Sequence, residues 1–597
     1  MTKSINQPTN QPTVMPIHPL VNELQKLSES SKHAVAQGNS YSLDRFREYL
    51  HIEREVEKEL KERIKFCAKT PKAQLLLVCG NVGDGKSHIL SYLNKELKDE
   101  ISKFKIHNDA TEAHNPDERS NQTLYKLLEE FQDEKINKCN DKIILAINLG
   151  TLNNFLDEYS KNYTYLKEYV NEHYILDSDV INENKIDEGY FQHVNFTDYH
   201  MYSLTNDGPK SIIISTFLDK IVSNTEENPI YKAYKKTKEL ELNNCPICLN
   251  YEFLFDENNR NTITDLLIQA IIKNKLIISV RALLNFFYDL IVPIYFNSEN
   301  LRTYKKQLAS LKANNLLNSL IPNYIFEHPQ LSTVFRKVSN LDPCSLRYAE
   351  LDLELIRLIN SDDPEKIFKD FIGNTSLEII TDHLPVLMTE KLGSKIKNDA
   401  LTKSFIRLNY FKNRIDVMTK SDPYYLEYMI TLHHFNNHQM DALEKIYALV
   451  QDAARRWYGD PNKTDMVVLH VGNKQSKYRV FKSFKAEPFI NLVEEFNLDV
   501  LTKFVQEFSL KFKVDGEAEP ARMHVDYGLY KILNQIITGY LPNRKDSNNY
   551  LSFVSLINRL INQDCEKVEL EIDAVNIGEA SDFKLSKDAF GHYKFQS

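Results

Sequence analysis

From Ala73 onward, short apolar runs alternate with amphipathic stretches. Leu75–Cys79 is an unbroken apolar run, the pattern of a strand buried on both faces, and Lys86 to about Lys98 has helical spacing. Phe104–His107 and Ile143–Leu149 predict two more strands, with a helix near Gln122 to Phe131 between them. Phe191–Phe196 and Leu276–Val280 predict a fourth and a fifth, separated by helix-like Thr216–Val222 and Thr264–Ile272. Strands alternating with helices predict an α/β core over residues 71–298, a mainly parallel sheet covered by helices on both faces.

The flanks follow other periods. Residues 18–70 form a helical N-terminal region, with Leu24, Leu27, Phe46, Leu50, Ile52, Val56, Leu60 and Ile64 three or four positions apart, behind a polar tail at 1–17. Residues 299–455 keep helical spacing, as in Leu351, Leu355 and Ile359, and read as a helical domain. Residues 456–597 read as a small α+β region. Met466–Val471 and Tyr478–Phe484 flank Gly472-Asn473-Lys474 as a hairpin, and helices are predicted near Phe489–Lys511, Tyr527–Gly539 and Tyr550–Asn562. Short strands at Lys567–Ile572, Phe583–Leu585 and His592–Phe595 close the chain.

The junction of the first strand with its helix carries the chemistry. Gly80-Asn81-Val82-Gly83-Asp84-Gly85-Lys86-Ser87 has the spacing G-x-x-x-x-G-K-S, followed by His88. Glycines let such a loop curl so that its N–H groups surround a phosphate, and the helix behind it aims its positive end at the same anion. Lys86 would reach the β- and γ-phosphates of ATP, and Ser87 a Mg²⁺ ion. Without a ligand, the same residues would make an ordinary glycine turn between a strand and a helix.

A triphosphate hydrolase also needs an acid at the end of a second strand. The third predicted strand ends in Asn148, a neutral amide that orients water but supplies no charge. Asp109, just past Phe104–His107, is the favoured replacement as metal-site acid, with Asp198 behind it; an Asp before Thr and Glu also suits a helix cap. Asn195 and Thr197 could sense the γ-phosphate or cap their strand. Arg281 follows an apolar run and starts a helix, where it could point at the γ-phosphate or pair with Asp289.

A chain of 597 residues divides into several domains. Its composition, 42% apolar and 26% charged, is that of a globular protein, and a net charge of −9 does not mark a nucleic-acid binder. The longest apolar stretch, Leu276 to Phe296, carries Arg281, Asn285 and Asp289 on one helical face and reads as a core helix, so no membrane span is expected. Seven scattered cysteines and the polar stretch Met1 to Pro16 fit reduced thiols in a cytoplasmic protein without a signal peptide. Cys245-Pro246-Ile247-Cys248 has the spacing of half a zinc site but no second pair, and a turn with two free thiols is the plainer reading. Lys477-Tyr478-Arg479-Val480-Phe481-Lys482-Ser483-Phe484-Lys485, with Arg455-Arg456-Trp457 upstream, could track phosphates or form a solvated hairpin.

Several stretches taken in order carry a resemblance: Leu27–Val35, Phe46–Leu50 with His51, Gly80–Ser87 with His88, Asn108-Asp109-Ala110-Thr111-Glu112, Ala146–Gly150, Cys245–Tyr251 and Ser279–Leu284. Together they resemble the DptF family of DNA phosphorothioation-dependent restriction proteins, most strongly over residues 20–295. The resemblance implies the ATPase component of a bacterial system that attacks DNA lacking sulfur in its backbone, acting with two partner proteins. DNA would be contacted directly or through those partners. No nuclease site is read here, so cleavage is expected in a partner. Of the family's functional residues, only Gly80 to Ser87 carry over, for nucleotide phosphates and Mg²⁺.

Overall fold

The computed structural model describes residues 17–28, 45–108, 120–177, 186, 188–242, 244–298, 300–372, 394–469, 478–490, 494–563, 569–574, 582–587 and 592–596. The chain divides into two units: one comprises the described residues up to 202 together with 210–421, and the other comprises 203–209 and the described residues from 422 onward.

The first unit contains a four-stranded parallel sheet. Strands β1 (Gln74–Cys79), β2 (Lys105–His107), β3 (Lys142–Ile147) and β4 (Phe191–Asn195) lie in the order β2-β3-β1-β4, with Leu75 opposite Ile143 on one side and Phe191 on the other. All six residues of β1 are buried. Alternation along the strand sends its side chains into two separate cores. Leu75, Leu77 and Cys79 meet Leu145, Phe155 and Tyr163 on one face; Leu76 and Val78 meet Leu60, Ile64, Leu90 and Leu93 on the other. This two-sided burial is why the strand is apolar from Leu75 to Cys79, and it bears out the α/β reading of this region.

Four helices lead to or follow the sheet: α1 (Pro19–Leu24), α2 (Arg45–Leu50), α3 (Glu55–Lys69) and α4 (Lys86–Glu96). Helix α3 is fixed at its C-terminus and in its middle. At its C-terminus, Lys142 Nζ donates to the carbonyls of Cys67 (2.7 Å), Ala68 (3.0 Å) and Thr70 (2.7 Å), a cation placed on otherwise orphaned acceptors. In its middle, buried Arg63 donates to Gln192 of β4 at 2.7 Å and Tyr199 donates to Glu59 at 2.5 Å. A larger helical core holds α1, α2 and the helices from Ile212–Val222 through Ser394–Ser421.

Leu276–Val280 departs from the predicted strand. Helix Glu257–Asn274 ends at Lys275 in a left-handed conformation (φ +50°), and the next residues run extended but pair with no strand among the described residues. Burial still alternates, with Leu276 at 3%, Ile277 at 90% and Ile278 at 7% exposure, so the period was real but had no neighbouring strand. Ser279 then caps helix Val280–Ile291.

The second unit carries helices Pro423–Asn436, Met440–Arg456, Tyr527–Ile537 and Leu551–Asn562 with antiparallel sheets. Met466–Leu469 and Tyr478–Ser483 pair as expected, joined in a five-stranded sheet by Glu569–Ala574, Asp582–Lys587 and Tyr593–Gln596; the turn at Gly472-Asn473-Lys474 lies outside the described residues. The helix predicted over Phe489–Lys511 is replaced by strands Glu487–Pro488, Val500–Lys503 and Phe508–Lys513. In the last of these, Phe508, Leu510 and Phe512 point inward at every second position; aromatic packing against Tyr428, Tyr447 and Tyr530 decides for strand over a helical spacing that the sequence also allowed.

Buried His433 makes this unit sensitive to acid. Its Nε2 faces the Leu498 carbonyl at 3.0 Å, and its buried Nδ1 has no partner, so a second proton has no acceptor there. Burial holds its pKa below the ordinary 6.5, assisted by neighbouring His434 and opposed by the Leu498 carbonyl. A depressed histidine contributes stability above about pH 6.5 that is lost as pH falls, because the unfolded chain takes the proton first. Buried Trp457, the chain's single tryptophan, reports on this unit. Its fluorescence should give a lower urea midpoint at pH 5.5 than at pH 7.5, and His433→Gln should reduce that difference. An equal difference in the variant assigns the acid sensitivity to other groups.

Candidate functional site

The glycine loop leaves the buried end of β1 and feeds α4. At Gly83 (φ +90°) a side chain is excluded twice, because a Cβ would also stand 2.8 Å from Ser279 Oγ. Gly85 (φ +88°) lies under Arg54, whose terminal nitrogen would be 3.1 Å from a Cβ. Both positions require glycine for conformation and for close approach.

Four hydrogen bonds hold the loop's shape. Asp84 Oδ2 accepts the Asn81 N–H at 2.6 Å, Arg54 donates to the Asp84 carbonyl at 2.8 Å, and Lys86 Nζ donates to the carbonyls of Gly80 (2.8 Å) and Asn81 (2.7 Å). Burial raises the Asp84 carboxyl above its usual range, against the Asn81 N–H and the charges of Lys86 and Arg54. Helix α4 begins at Gly85, which offers no capping side chain, and its first turn holds no acid. Its N-terminus therefore has no side-chain cap and no acid, unlike helix Glu257–Asn274, which Asp256 caps.

The loop forms one wall of a cavity of about 410 Å³ lined by Val82 to Ile89, by residues of α2, β3 and helix Val280–Ile291, and by Asn108 just after β2. Asp84 is the single carboxylate among the described lining residues, against the cations Lys26, Arg47, Arg54, Lys86 and Arg281. Away from the loop the lining turns apolar, with Leu27, Phe46, Leu50, Phe217 and Leu284. His88 Nε2 lies 3.2 Å from His51 Nδ1, and His51 stacks on Tyr92 while its Nε2 faces fully buried Glu57 at 3.4 Å. Sequence reading missed Arg54, His51 and Glu57, because nothing near them in the chain marks a site; only the placement of α3 brings them to the loop.

The other sequence candidates fall as follows. Asp109 lies outside the described residues, but Asn108 just before it lines the cavity with its Oδ1 buried and unpartnered. Asn148 also lines the cavity, and its Oδ1 accepts the Thr151 N–H at 2.7 Å, so this side chain caps helix Leu149–Tyr159 and turns its amide N–H₂ away from the cap. Asn195, Thr197 and Asp198 bind one another, Asn195 Nδ2 to Asp198 at 2.8 Å and Thr197 Oγ1 to Asn195 at 2.8 Å, and do not line the cavity. Arg281 lines it with its Nε unpartnered, while Asp289 accepts from Asn285 instead.

Cys245 and Cys248 are buried at the start of helix Pro246–Phe253. The Cys245 thiol caps the helix at the Cys248 N–H (3.5 Å) and contacts the Tyr304 hydroxyl at 2.9 Å. Among the described residues no three His, Cys, Asp or Glu side chains are grouped to hold a metal ion. In the second unit, Arg479 pairs across the sheet with Asp573, Phe481 is buried, Lys463 joins Glu571 and Asp573 at 2.9 Å each, and Arg455 and Arg456 both bind Asp452. Within the run, Lys485 pairs with Glu487 at 3.0 Å and Lys482 donates to the Ile561 carbonyl. No helix among the described residues is long and apolar enough to cross a membrane.

Comparison of the chain with protein-family models, with curated proteins and with solved structures finds no match.

The capping role of Asn148 can be tested locally. Asn148→Ala should speed amide hydrogen exchange in Leu149–Tyr159 by about fivefold, the equivalent of ~1 kcal/mol for a lost cap. Asn148→Asp, which keeps an acceptor at the cap, should leave exchange near the parent rate. Equal exchange in all three proteins removes the cap as the reason for this residue.

Proposed function

We propose that this chain is a P-loop ATPase: residues Gly80 to His88 bind the phosphates of ATP with Mg²⁺, and the apolar half of the cavity receives the base. The observation that carries this reading is the loop itself, braced by Arg54 and Asp84, ending at a helix with no side-chain cap, and flanked by Arg54 and Arg281, neither of which forms an ion pair among the described residues. A preorganised set of N–H groups with excess positive charge and no internal anion is suited to a polyphosphate. The cavity volume, about 410 Å³, falls within the range of small-molecule sites.

Mg²⁺ fits the residues present. Ser87 and the unpartnered Oδ1 of Asn108 offer neutral oxygens to the ion or its water shell, and Asp109 follows directly in sequence. When bound, Mg²⁺ neutralises charge on the β- and γ-phosphates. This chain's own residues then position the reactant: Lys86 exchanges two loop carbonyls for phosphate oxygens, Arg281 presents an unpaired donor, and the Asn148 amide N–H₂ orients a water or phosphate oxygen.

The wider role, the ATP-dependent component of a restriction system acting on DNA without phosphorothioate, rests on the sequence resemblance alone. Two partner proteins, a partner-borne nuclease, DNA contact and a cytoplasmic location belong to the same proposal. A second reading, a nucleotide switch that does not hydrolyse, is favoured by one observation: Asp84 is the only carboxylate among the described residues lining the cavity, and it is engaged with Asn81.

Measured with purified protein, ATP binding should be strong in the parent and weakened at least tenfold in Lys86→Ala, with unchanged far-UV circular dichroism, since loss of one charged phosphate contact is worth about 1.5–3 kcal/mol. Turnover with and without unmodified duplex DNA separates the two readings. Hydrolysis abolished by Lys86→Ala supports an ATPase, tight binding without turnover supports the switch, and equal ATP affinity in parent and variant overturns both.

A further inference from the structure

We propose that Arg54 is a phosphate-contacting residue of this site, a second cation delivered to the loop from outside it. The inference rests on the nucleotide reading above and adds a residue that no loop motif contains.

Arg54 occupies the position before α3, and its backbone carbonyl accepts the N–H of Glu57 (2.9 Å) and of Lys58 (3.2 Å). With α3 tied to β3 and β4, the start of its side chain is set by the fold and not by the loop it touches. The side chain crosses the Phe196 ring at 5.5 Å and ends on the loop, donating to the Asp84 carbonyl at 2.8 Å directly over Gly85. It also lines the cavity.

The donor census then points to a ligand. A guanidinium carries five N–H donors, and one is used here; no other acceptor is found for Arg54 among the described residues. Nor does any carboxylate there form an ion pair with it. Asp84, the nearest acid, has turned its carboxylate to the Asn81 N–H, and Glu57 faces His51 and Lys61 (3.7 Å). Both acids act on Arg54 only at a distance, while burial works against its charge. An arginine stays protonated under such conditions, so the cation remains. A half-buried guanidinium with unused donors beside an anion-shaped loop is available to an anion that enters the cavity, and planar N–H pairs match phosphate oxygens well. Arg281, which also lines the cavity, has its own Cβ 3.9 Å from the place of a Cβ at Gly83.

The rival role is bracing alone, a single hydrogen bond that keeps the loop in shape. Inorganic tripolyphosphate, ATP and adenosine separate the two. Calorimetric titration of the full chain with tripolyphosphate and with ATP should show parent binding. Arg54→Gln should lose about tenfold to a hundredfold for both, the size expected for a charged hydrogen bond, with the loss shrinking as salt rises. Arg54→Lys should recover part of it, and adenosine affinity should be the same in all three proteins. Parent-like tripolyphosphate affinity in Arg54→Gln, or a loss that includes adenosine equally, overturns the proposal while the nucleotide site stands. A parent that binds neither ATP nor tripolyphosphate overturns the nucleotide reading and this inference with it.

Discussion

The first unit depends on the burial of β1 on both faces. Its odd and even side chains are anchored in different cores, one shared with helices Leu149–Tyr159 and Thr164–Glu172, the other with α3 and α4. A strand held from both sides cannot shift register or tilt without breaking two sets of contacts. Its last residue therefore fixes where the loop starts, and the same core that grips Leu76 and Val78 grips Ile89 and Leu90 just beyond the loop. Six residues of irregular backbone are thus stretched between two rigid supports, which is the condition under which positive-φ glycines and aimed N–H groups persist.

Charge is arranged to be incomplete on the cavity side and complete elsewhere. Deep in the unit, Arg407 is closed by Glu327 and Asp342, both at 2.7 Å, and Arg63 by Gln192 and Glu59. At the cavity, Arg54 has a backbone carbonyl in place of a carboxylate, and Arg281 Nε has no partner among the described residues. Both groups of cations lose hydration, but only the second leaves donors unmatched. A fold that satisfies its cations in one place and not in another marks the second place as the one where the missing charge comes from outside.

How much of this the sequence disclosed depends on the range of the interaction. Strand β1, the loop and α4 are contiguous, and their signals, an apolar run, three glycines and a helical period, are local. They were readable in place and nearly to the residue. Leu276–Val280 shows the limit, since its alternation is present but strand identity needs a neighbour that lies elsewhere in the chain. Phe508–Lys513 shows the opposite limit, where two periods fit and packing against distant tyrosines chose one. Asn148 was legible as a departure from an acid but not as a helix cap, because that function appears only when Thr151 turns its N–H back toward it. Arg54 gave no signal at all: it stands 26 positions before Gly80, between two glutamates, and resembles any charged residue at a helix start.

The C-terminal sheet carries the same lesson for charge. Read along the chain, Lys477 to Lys485 is a basic ribbon with aromatic residues between the charges. Across the sheet, Asp573 stands opposite Arg479, and Glu571 is held by Lys463 and approached by Lys584 at 3.4 Å. Asp573, held by Lys463 at 2.9 Å, stands one strand away from Arg479 and lowers the local positive potential that a bare basic stripe would offer a phosphate. The aromatic residue that would stack on a base, Phe481, is buried under the Lys463 ammonium, 4.7 Å from the ring centre. Basic composition in one strand is therefore not a phosphate track unless its neighbours leave the charge uncovered.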